Sequence, residues 1–125
     1  VVKAGQLADA IHKQGFVTLY INFDNNKSDV KPEAKPAMEE VVALLKADSV
    51  LRLSIEGHTD NVGNAVTNKT LSQARAQSVV KALVASGIDA KRLQAKGFGS
   101  EVPIADNRSE EGRAKNRRVE LVKLK

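Results

Sequence analysis

Apolar and polar residues follow two different periods along this chain. Three short segments alternate apolar with polar positions, which predicts half-buried strands, and a fourth is predicted as a strand although the adjacent Leu121 and Val122 interrupt its alternation. These segments are residues 17–23, 51–56, 92–98 and 119–124. Three longer segments repeat apolar residues at helical spacing, which predicts helices over residues 4–14, 32–47 and 68–86. Because the strands have one apolar side, we expect a sheet covered on one face only, as in an α/β (α+β) two-layer sandwich.

Two charged residues flank the connection between one predicted strand and the next predicted helix. Asp60 follows the strand 51–56 after a glycine, and Arg75 lies in the first turns of the helix 68–86. A fixed anion beside a fixed cation suits a ligand that carries both an ammonium and a carboxylate, as amino-acid ends do. Arginine suits the carboxylate because its planar fork can donate two parallel hydrogen bonds. A structural salt bridge between Asp60 and Arg75 is the alternative interpretation.

Composition limits the classes of protein to which the chain can belong. Its 125 residues, 42% apolar and 28% charged, are typical of one globular domain. No segment approaches the roughly 18 apolar residues of a membrane span, and residues 1–15 lack the apolar core of a signal peptide. Cysteines are absent and the two histidines, His12 and His58, lie far apart, so we expect no metal site. The chain begins at Val1 rather than methionine, which indicates a piece of a longer protein.

Positive charge is concentrated near the C-terminus. Residues 91–125 hold ten Lys/Arg and five Asp/Glu, an excess equal to the net charge of +5. Such a basic surface can meet nucleic acid, anionic lipid or an anionic polymer. Aromatic residues make up only 3% of the chain and no nucleic-acid module is recognisable, so we expect no nucleic-acid partner. Internal pairing with Glu110, Glu111 and Glu120 is the other interpretation.

Several separate motifs occur in a fixed order over most of the chain. They are INFDNNKSDVKP (21–32), GHTD (57–60), Gly63, Asn68, LSQARA (71–76), GFG (97–99), Pro103, Asn107 and GRAKNRRVE (112–120). In this order and spacing they resemble the OmpA-like C-terminal domain. The resemblance implies a domain at residues 17–125, with residues 1–16 as an N-terminal extension that forms a short helix. It also implies a β/α/β/α/β-β order with a mixed four-stranded sheet.

The same resemblance implies a function. Members of the family are non-catalytic modules that bind peptidoglycan in the periplasm of Gram-negative bacteria, through the diaminopimelate of the stem peptide. We therefore expect a domain without cofactors that anchors an outer-membrane or envelope protein to the cell wall. Attachment to the outer membrane would lie in a segment outside this chain. The oligomeric state is left open.

Candidate binding residues follow from matching the motifs position by position. Asp60 and Arg75 match the family's main ligand pair, with Asp60 for an ammonium and Arg75 for a carboxylate. Further residues match positions that line or frame the same site: Asn26, Asn68, Thr59, Val62, Arg117 and Arg118. Backbone N–H groups at the start of the helix 68–86 would add to the binding of the carboxylate.

One alternative is an enzyme that acts on the cell wall. His58 lies two residues before Asp60, and a histidine near a carboxylate can serve as a general acid or base. No serine or cysteine nucleophile lies in a supporting motif, so we expect a binding module rather than an enzyme.

Overall fold

The computed structural model describes all 125 residues and contains four helices and four strands. In chain order they are α1 (Ala4–Gln14), β1 (Phe16–Leu19), α2 (Lys35–Ala47), β2 (Leu53–His58), α3 (Ala65–Ala85), β3 (Leu93–Gly99), α4 (Glu110–Asn116) and β4 (Arg118–Lys123). Single 3₁₀ turns at Pro32–Ala34 and Ala90–Arg92 precede α2 and β3. None of the four helices combines the length and the apolar character that a membrane span requires.

The four strands form one mixed sheet in the order β1-β4-β2-β3. β2 runs parallel to β3, whereas β4 is antiparallel to both β1 and β2. The parallel pair is joined by α3, since parallel neighbours need a crossover connection. The predicted two-layer sandwich with a mixed four-stranded sheet is confirmed.

Apolar side chains of three helices and of one face of the sheet make a single core. Leu53 and Ile55 of β2 point into it and are fully buried, as is Leu121 of β4. The helix predicted as an N-terminal extension packs into the same core, because Leu7 and Ile11 of α1 are also fully buried. The alternate residues of the strands lie on the opposite face of the sheet, which we call the open face.

Helix α3 lies unusually close to β2 and β3. A side chain at Gly57 or Gly97 would collide with the backbone of Ser72 or Gln73, so only glycine permits this approach. Polar side chains of α3 also bond the outer edge of β3. Gln73 accepts from the N–H of Gly97 and donates to the carbonyl of Ala95, and Ser72 accepts from the N–H of Gly99. These contacts fix α3, and hence Arg75, relative to the sheet.

Several boundaries differ by a few residues from the sequence-based expectation; α2 begins at Lys35 rather than 32, and β2 spans Leu53–His58 rather than 51–56. β1 ends at Leu19, not at residue 23, because its pairing with β4 stops at the Leu19–Val119 pair, one residue short of the start of β4 at Arg118. Helix α3 begins at Ala65 instead of 68, since the Asn64 side chain caps it by accepting from the N–H groups of Val66 and Thr67.

Helix α4 is a further difference, since residues 110–116 lie outside the segments in which the sequence predicts a helix or a strand. Its seven residues are too few to show an apolar period, and only Gly112 and Asn116 are buried. The helix is specified instead by Ser109, whose hydroxyl accepts from the N–H of Gly112, and by two glutamates in its first turn.

Candidate functional site

A cavity of about 640 Å³ opens at the carboxyl end of β2. It is bounded by the segment after β1, the loop after β2, the first half of α3, helix α4 and the start of β4. All eight residues expected at the site line this cavity: Asn26, Thr59, Asp60, Val62, Asn68, Arg75, Arg117 and Arg118. The fold therefore brings together residues that are up to 92 positions apart in the chain, from Asn26 to Arg118.

The loop after β2 holds Asp60 in a fixed position. The N–H of Thr59 donates to the carbonyl of Gly99 at 2.8 Å, which ties the loop to β3. One carboxylate oxygen of Asp60, Oδ1, accepts from the N–H of Val62 at 3.0 Å, and the Thr59 hydroxyl donates to the Asp60 carbonyl at 2.7 Å. The carboxylate is thus oriented by its own loop, while the Val62 side chain, 64% exposed, stands at the rim.

The second oxygen of Asp60 is paired with Arg117 rather than with Arg75. Nη1 of Arg117 lies 2.8 Å from Oδ2 of Asp60, and its Nη2 lies 2.6 Å from a carboxylate oxygen of Glu110. These two acids raise the pKa of Arg117, and Arg117 in turn lowers the pKa of Glu110. We call Asp60, Arg117 and Glu110 the acidic side of the cavity.

Arg75 stands on α3 and contacts no carboxylate. Its Nε donates to the carbonyl of Lys27 at 2.9 Å, and its Nη2 donates to the carbonyl of Asp24 at 3.2 Å. The guanidinium lies 4.8 Å from the ring centre of Phe23, and partial burial lowers its pKa. Only two of the five N–H groups of an arginine are used in these contacts. We call Arg75 and these two carbonyl groups the basic side of the cavity.

Asparagines occupy the space near the two charged sides. Asn68, in the first turns of α3, donates to the carbonyl of Val62 at 3.0 Å and so links the helix to the loop that carries Asp60. Asn26 adopts a left-handed backbone with φ of 58°, a conformation that asparagine tolerates well. Two N–H groups at the start of α3, which were expected to help bind a carboxylate, are taken by the Asn64 cap.

Arg118 is held beneath the cavity by the protein itself. Its side chain is 1% exposed and its Nε lies 2.7 Å from Oε2 of Glu120. The two Nη groups donate to the carbonyls of Asn116 and Val102. The motif match predicts both arginines of the NRRVE segment near the site, and in the structure Arg117 is the one that reaches Asp60.

Asn116 and Gly112 position Arg117. The fully buried Asn116 side chain accepts from the N–H groups of Ile104 and Ala105, and donates to the Ala105 carbonyl and to Asn107. At Gly112 any side chain would collide with the backbone of Asp106, so α4 packs directly on the preceding loop. Both residues belong to the GRAKNRRVE motif, and both orient α4 toward the cavity.

His58 does not form the acid/base pair that an enzyme would need. Its side chain is 3% exposed and its ring stacks on Phe98, with centroids 5.2 Å apart. Burial, reinforced by the charge of Arg118, lowers the pKa of His58 to about 4, and neither ring nitrogen has a hydrogen-bond partner. Asp60 therefore receives no hydrogen bond from the imidazole.

The arginines of the basic C-terminal segment form ion pairs and hydrogen bonds within the protein. Arg108, Arg113 and Arg118 pair with Asp106, Glu110 and Glu120, and Arg117 pairs with two acids. Arg92 donates to three backbone carbonyls near the end of α2. This arrangement favours the internal-pairing interpretation of the positive charge over a phosphate-binding surface.

Several known proteins are similar to this chain in sequence or in structure. The outer membrane protein Omp38 of Acinetobacter baumannii is 48% identical over 102 residues, which are 81% of this chain but 29% of Omp38. The peptidoglycan-associated lipoprotein of Pseudomonas aeruginosa is 38% identical over 119 residues, or 95% of this chain and 69% of the lipoprotein. A solved structure, the cell wall anchor of the T6SS from Pseudomonas aeruginosa, superposes with a TM-score of 0.75 at 32% identity, over 99% of this chain and 98% of that one.

The chain spans less than a third of Omp38, so that protein contains much that this chain does not. The part that is shared is well defined, since the OmpA family matches residues 22–117, from the segment after β1 to Arg117. The resemblance drawn from the motifs is confirmed, and the chain belongs to the OmpA family.

Proposed function

We propose that this domain binds peptidoglycan without cleaving it and anchors an envelope protein to the cell wall. The observation that carries the proposal is the cavity, in which a carboxylate and an arginine with three unused N–H groups are held by rigid elements. Relatives described as a peptidoglycan-associated lipoprotein and as a cell wall anchor support the same function. The corresponding location is the periplasm, with attachment to the outer membrane through a segment outside this chain.

The ligand that fits the cavity is the free end of diaminopimelate in a stem peptide. This end carries an ammonium and a carboxylate on one carbon, so it can meet both sides of the cavity at once. Arg75 would bind the carboxylate, because its charge faces only carbonyl oxygens in the free protein. A carboxylate from the ligand supplies the missing anion and can take two parallel hydrogen bonds.

The ammonium would bind on the acidic side. Oδ2 of Asp60 is already paired with Arg117, which keeps a second partner in Glu110 and can therefore yield its place. Asn26, Asn68 and the Thr59 hydroxyl add groups that donate and accept, and these suit a zwitterion. Val62 would frame the opening, whereas Arg118 would support the floor of the cavity without touching the ligand.

The two charges also determine which stem peptides are accepted. A lysine at the same position carries the ammonium but lacks the second carboxylate. Its binding would leave Arg75 partly desolvated and unpaired, and leaving a charged group unsatisfied costs about 1–3 kcal/mol or more. The domain should therefore prefer diaminopimelate over lysine by at least about tenfold in affinity.

Calorimetry with two otherwise identical stem peptides tests this preference. One peptide contains diaminopimelate and the other lysine, and both are titrated into the same protein at low and moderate salt. We expect saturable binding of the first and a loss of at least about tenfold with the second. Equal affinities would contradict the proposed role of the second carboxylate.

An experiment with purified cell walls distinguishes a domain that only binds peptidoglycan from an enzyme that cleaves it. The domain should sediment with the walls and release no soluble fragments after long incubation. Release of fragments that stops in Asp60→Asn, while sedimentation persists, would overturn the binding-only proposal. An Arg108→Ala variant is a suitable control, since this arginine is highly exposed and pairs only with Asp106 outside the cavity.

A further inference from the structure

The open face of the sheet carries two carboxylates directly opposite each other. Glu56 of β2 and Glu120 of β4 are register partners in the antiparallel pair. Directly opposed like charges destabilise a sheet unless something compensates them. The Glu56 carboxylate accepts no hydrogen bond and forms no salt bridge with the protein, whereas Glu120 is bonded to Arg118 through Oε2 only. One oxygen of Glu120 and both oxygens of Glu56 are therefore left unused.

His58 lies beside this pair with two unsatisfied nitrogens. The imidazole is almost completely buried, yet neither Nδ1 nor Nε2 has a hydrogen-bond partner. Its Nε2 lies 3.9 Å from Oε2 of Glu120, which is too far for a hydrogen bond. Buried polar atoms are seldom left without a partner, because their desolvation is then uncompensated. Two opposed carboxylates and an unpaired imidazole therefore bring three metal-ligating side chains together on this face.

We propose that Glu56, His58 and Glu120 form a binding site for a divalent first-row transition-metal ion of the zinc type. One ligand atom from each of the three residues already lies within 4.8 Å of the others. Around a tetrahedral zinc ion, with bonds of about 2.0–2.2 Å, ligand atoms stand about 3.3 Å apart. Side-chain rotation of the partly exposed Glu56 closes most of this difference, since no contact within the protein holds its carboxylate.

The chemistry of the three ligands selects the class of metal. An imidazole nitrogen suits zinc, nickel or copper, whereas calcium and magnesium prefer oxygen ligands alone. The buried imidazole of His58 has two nitrogens without a partner in the protein, and either could coordinate the ion. Three protein ligands leave a fourth position for water, which the partly exposed side of Glu56 can supply.

Two cations of the protein lie near this site and set a limit on its affinity. Arg118 bonds Oε2 of Glu120, and Lys96 is the register partner of Glu56 on the other side of β2. The ammonium of Lys96 lies over the Phe98 ring, 5.2 Å from its centre, and forms no salt bridge with Glu56. The two carboxylates remain available as ligands, but the positive charges of Arg118 and Lys96 repel a metal ion. We therefore expect moderate rather than very tight binding.

Nitrogen-15 NMR of the histidine side chains tests the proposal directly. The native, metal-free protein is titrated with zinc chloride at pH 7, and the imidazole signals of His58 and His12 are followed. His12 is the internal control, because it is an exposed histidine 3.7 Å from a carboxylate, Asp48. We expect one equivalent of zinc to shift a ring nitrogen of His58 first. A shift confined to His12, or no saturable shift, overturns the proposal.

Matched variants provide a second test by calorimetry. Glu56→Gln removes one ligand at a position without internal contacts, so the fold should persist, and zinc affinity should fall by at least about tenfold. His12→Gln should leave the affinity unchanged. Zinc should also raise the melting temperature of the native protein and not that of Glu56→Gln, since binding to the folded state stabilises it. Unchanged zinc affinity in Glu56→Gln contradicts the site, as does equal binding of magnesium.

Discussion

On the acidic side of the cavity, Asp60 already holds a cation of the protein, whereas on the basic side Arg75 holds only carbonyl oxygens. In the proposed function, a ligand ammonium would therefore compete with Arg117 for Asp60, while a ligand carboxylate would meet Arg75 without a competitor. On this proposal, most of the binding free energy of a zwitterion would come from its carboxylate. The ammonium would contribute mainly to selectivity, because an uncharged group would leave Asp60 with Arg117.

Arg75→Ala should have the largest effect of the substitutions in the cavity. It removes the one charged side chain of the cavity that has no partner of opposite charge, and we expect the affinity for diaminopimelate-containing peptide to fall by at least about 100-fold, as when one partner of a hydrogen-bonded charge pair is truncated. Calorimetry measures the loss. Arg75→Lys, which keeps the charge but not the planar fork, should recover part of the affinity. If the affinity of Arg75→Ala falls by less than threefold, the carboxylate of the ligand does not bind at Arg75.

Asp60→Asn should have a smaller effect. Asparagine can still accept from the N–H of Val62, so the loop keeps its shape, and Arg117 keeps Glu110. The ammonium loses its counter-charge, and we expect a loss of about 10- to 30-fold, a typical value for a charged hydrogen bond. The same calorimetric titration applies, with circular dichroism as a check on folding. If this variant loses more affinity than Arg75→Ala, the acidic side contributes more to the binding free energy than the basic side.

Arg117→Gln should change the affinity in the opposite direction. Without the competing guanidinium, Asp60 is free for the ligand ammonium, and we expect binding to tighten by about threefold. The gain should shrink as salt is added, since the contact is partly exposed and screened. A comparison at low and high ionic strength measures both effects. Weaker binding in this variant would mean that Arg117 itself contacts the ligand.

Glu110→Gln should have the smallest effect. It removes the second acid of Arg117, which then depends on Asp60 alone and competes more strongly with the ammonium. Because Glu110 is highly exposed, we expect a loss of less than about threefold. The double variant Arg117→Gln with Glu110→Gln is the matched control, since Glu110 then keeps only its contact with Arg113 and no longer acts through Arg117. A further loss in the double variant would indicate direct contact between Glu110 and the ligand.

Much of the fold could be predicted from the sequence because it is encoded locally. The helical spacing in residues 32–47 and the alternation in residues 51–56 reflect which side of each element faces the core. Helix α4 was missed because it is short and mostly exposed, and its signal is a Ser109 cap rather than an apolar period. Strand β1 was overextended because burial alternates as far as Ile21, two residues after pairing with β4 has stopped.

The composition of the cavity was also foreseeable, but its internal pairing was not. Motif positions brought Asp60 and Arg75 to one cavity, yet the partner of Asp60 is Arg117, 57 residues later. Likewise nothing in the sequence sets Glu56 against Glu120. Both contacts depend on the register of β4 against β2, and this register is set by tertiary packing. A slip of one residue would move every side chain of β4 to the other face of the sheet.

The bonds from Ser72 and Gln73 to the outer edge of β3 have a consequence for domains gathered densely along a polymer. Neighbouring copies would collide often, and a bare strand is a template on which a foreign strand can add and start a fibre. Here three backbone groups on this edge, the Ala95 carbonyl and the N–H groups of Gly97 and Gly99, are already bonded to side chains of α3 in the same molecule. High local concentration should then not lead these domains to associate through strand addition at the β3 edge.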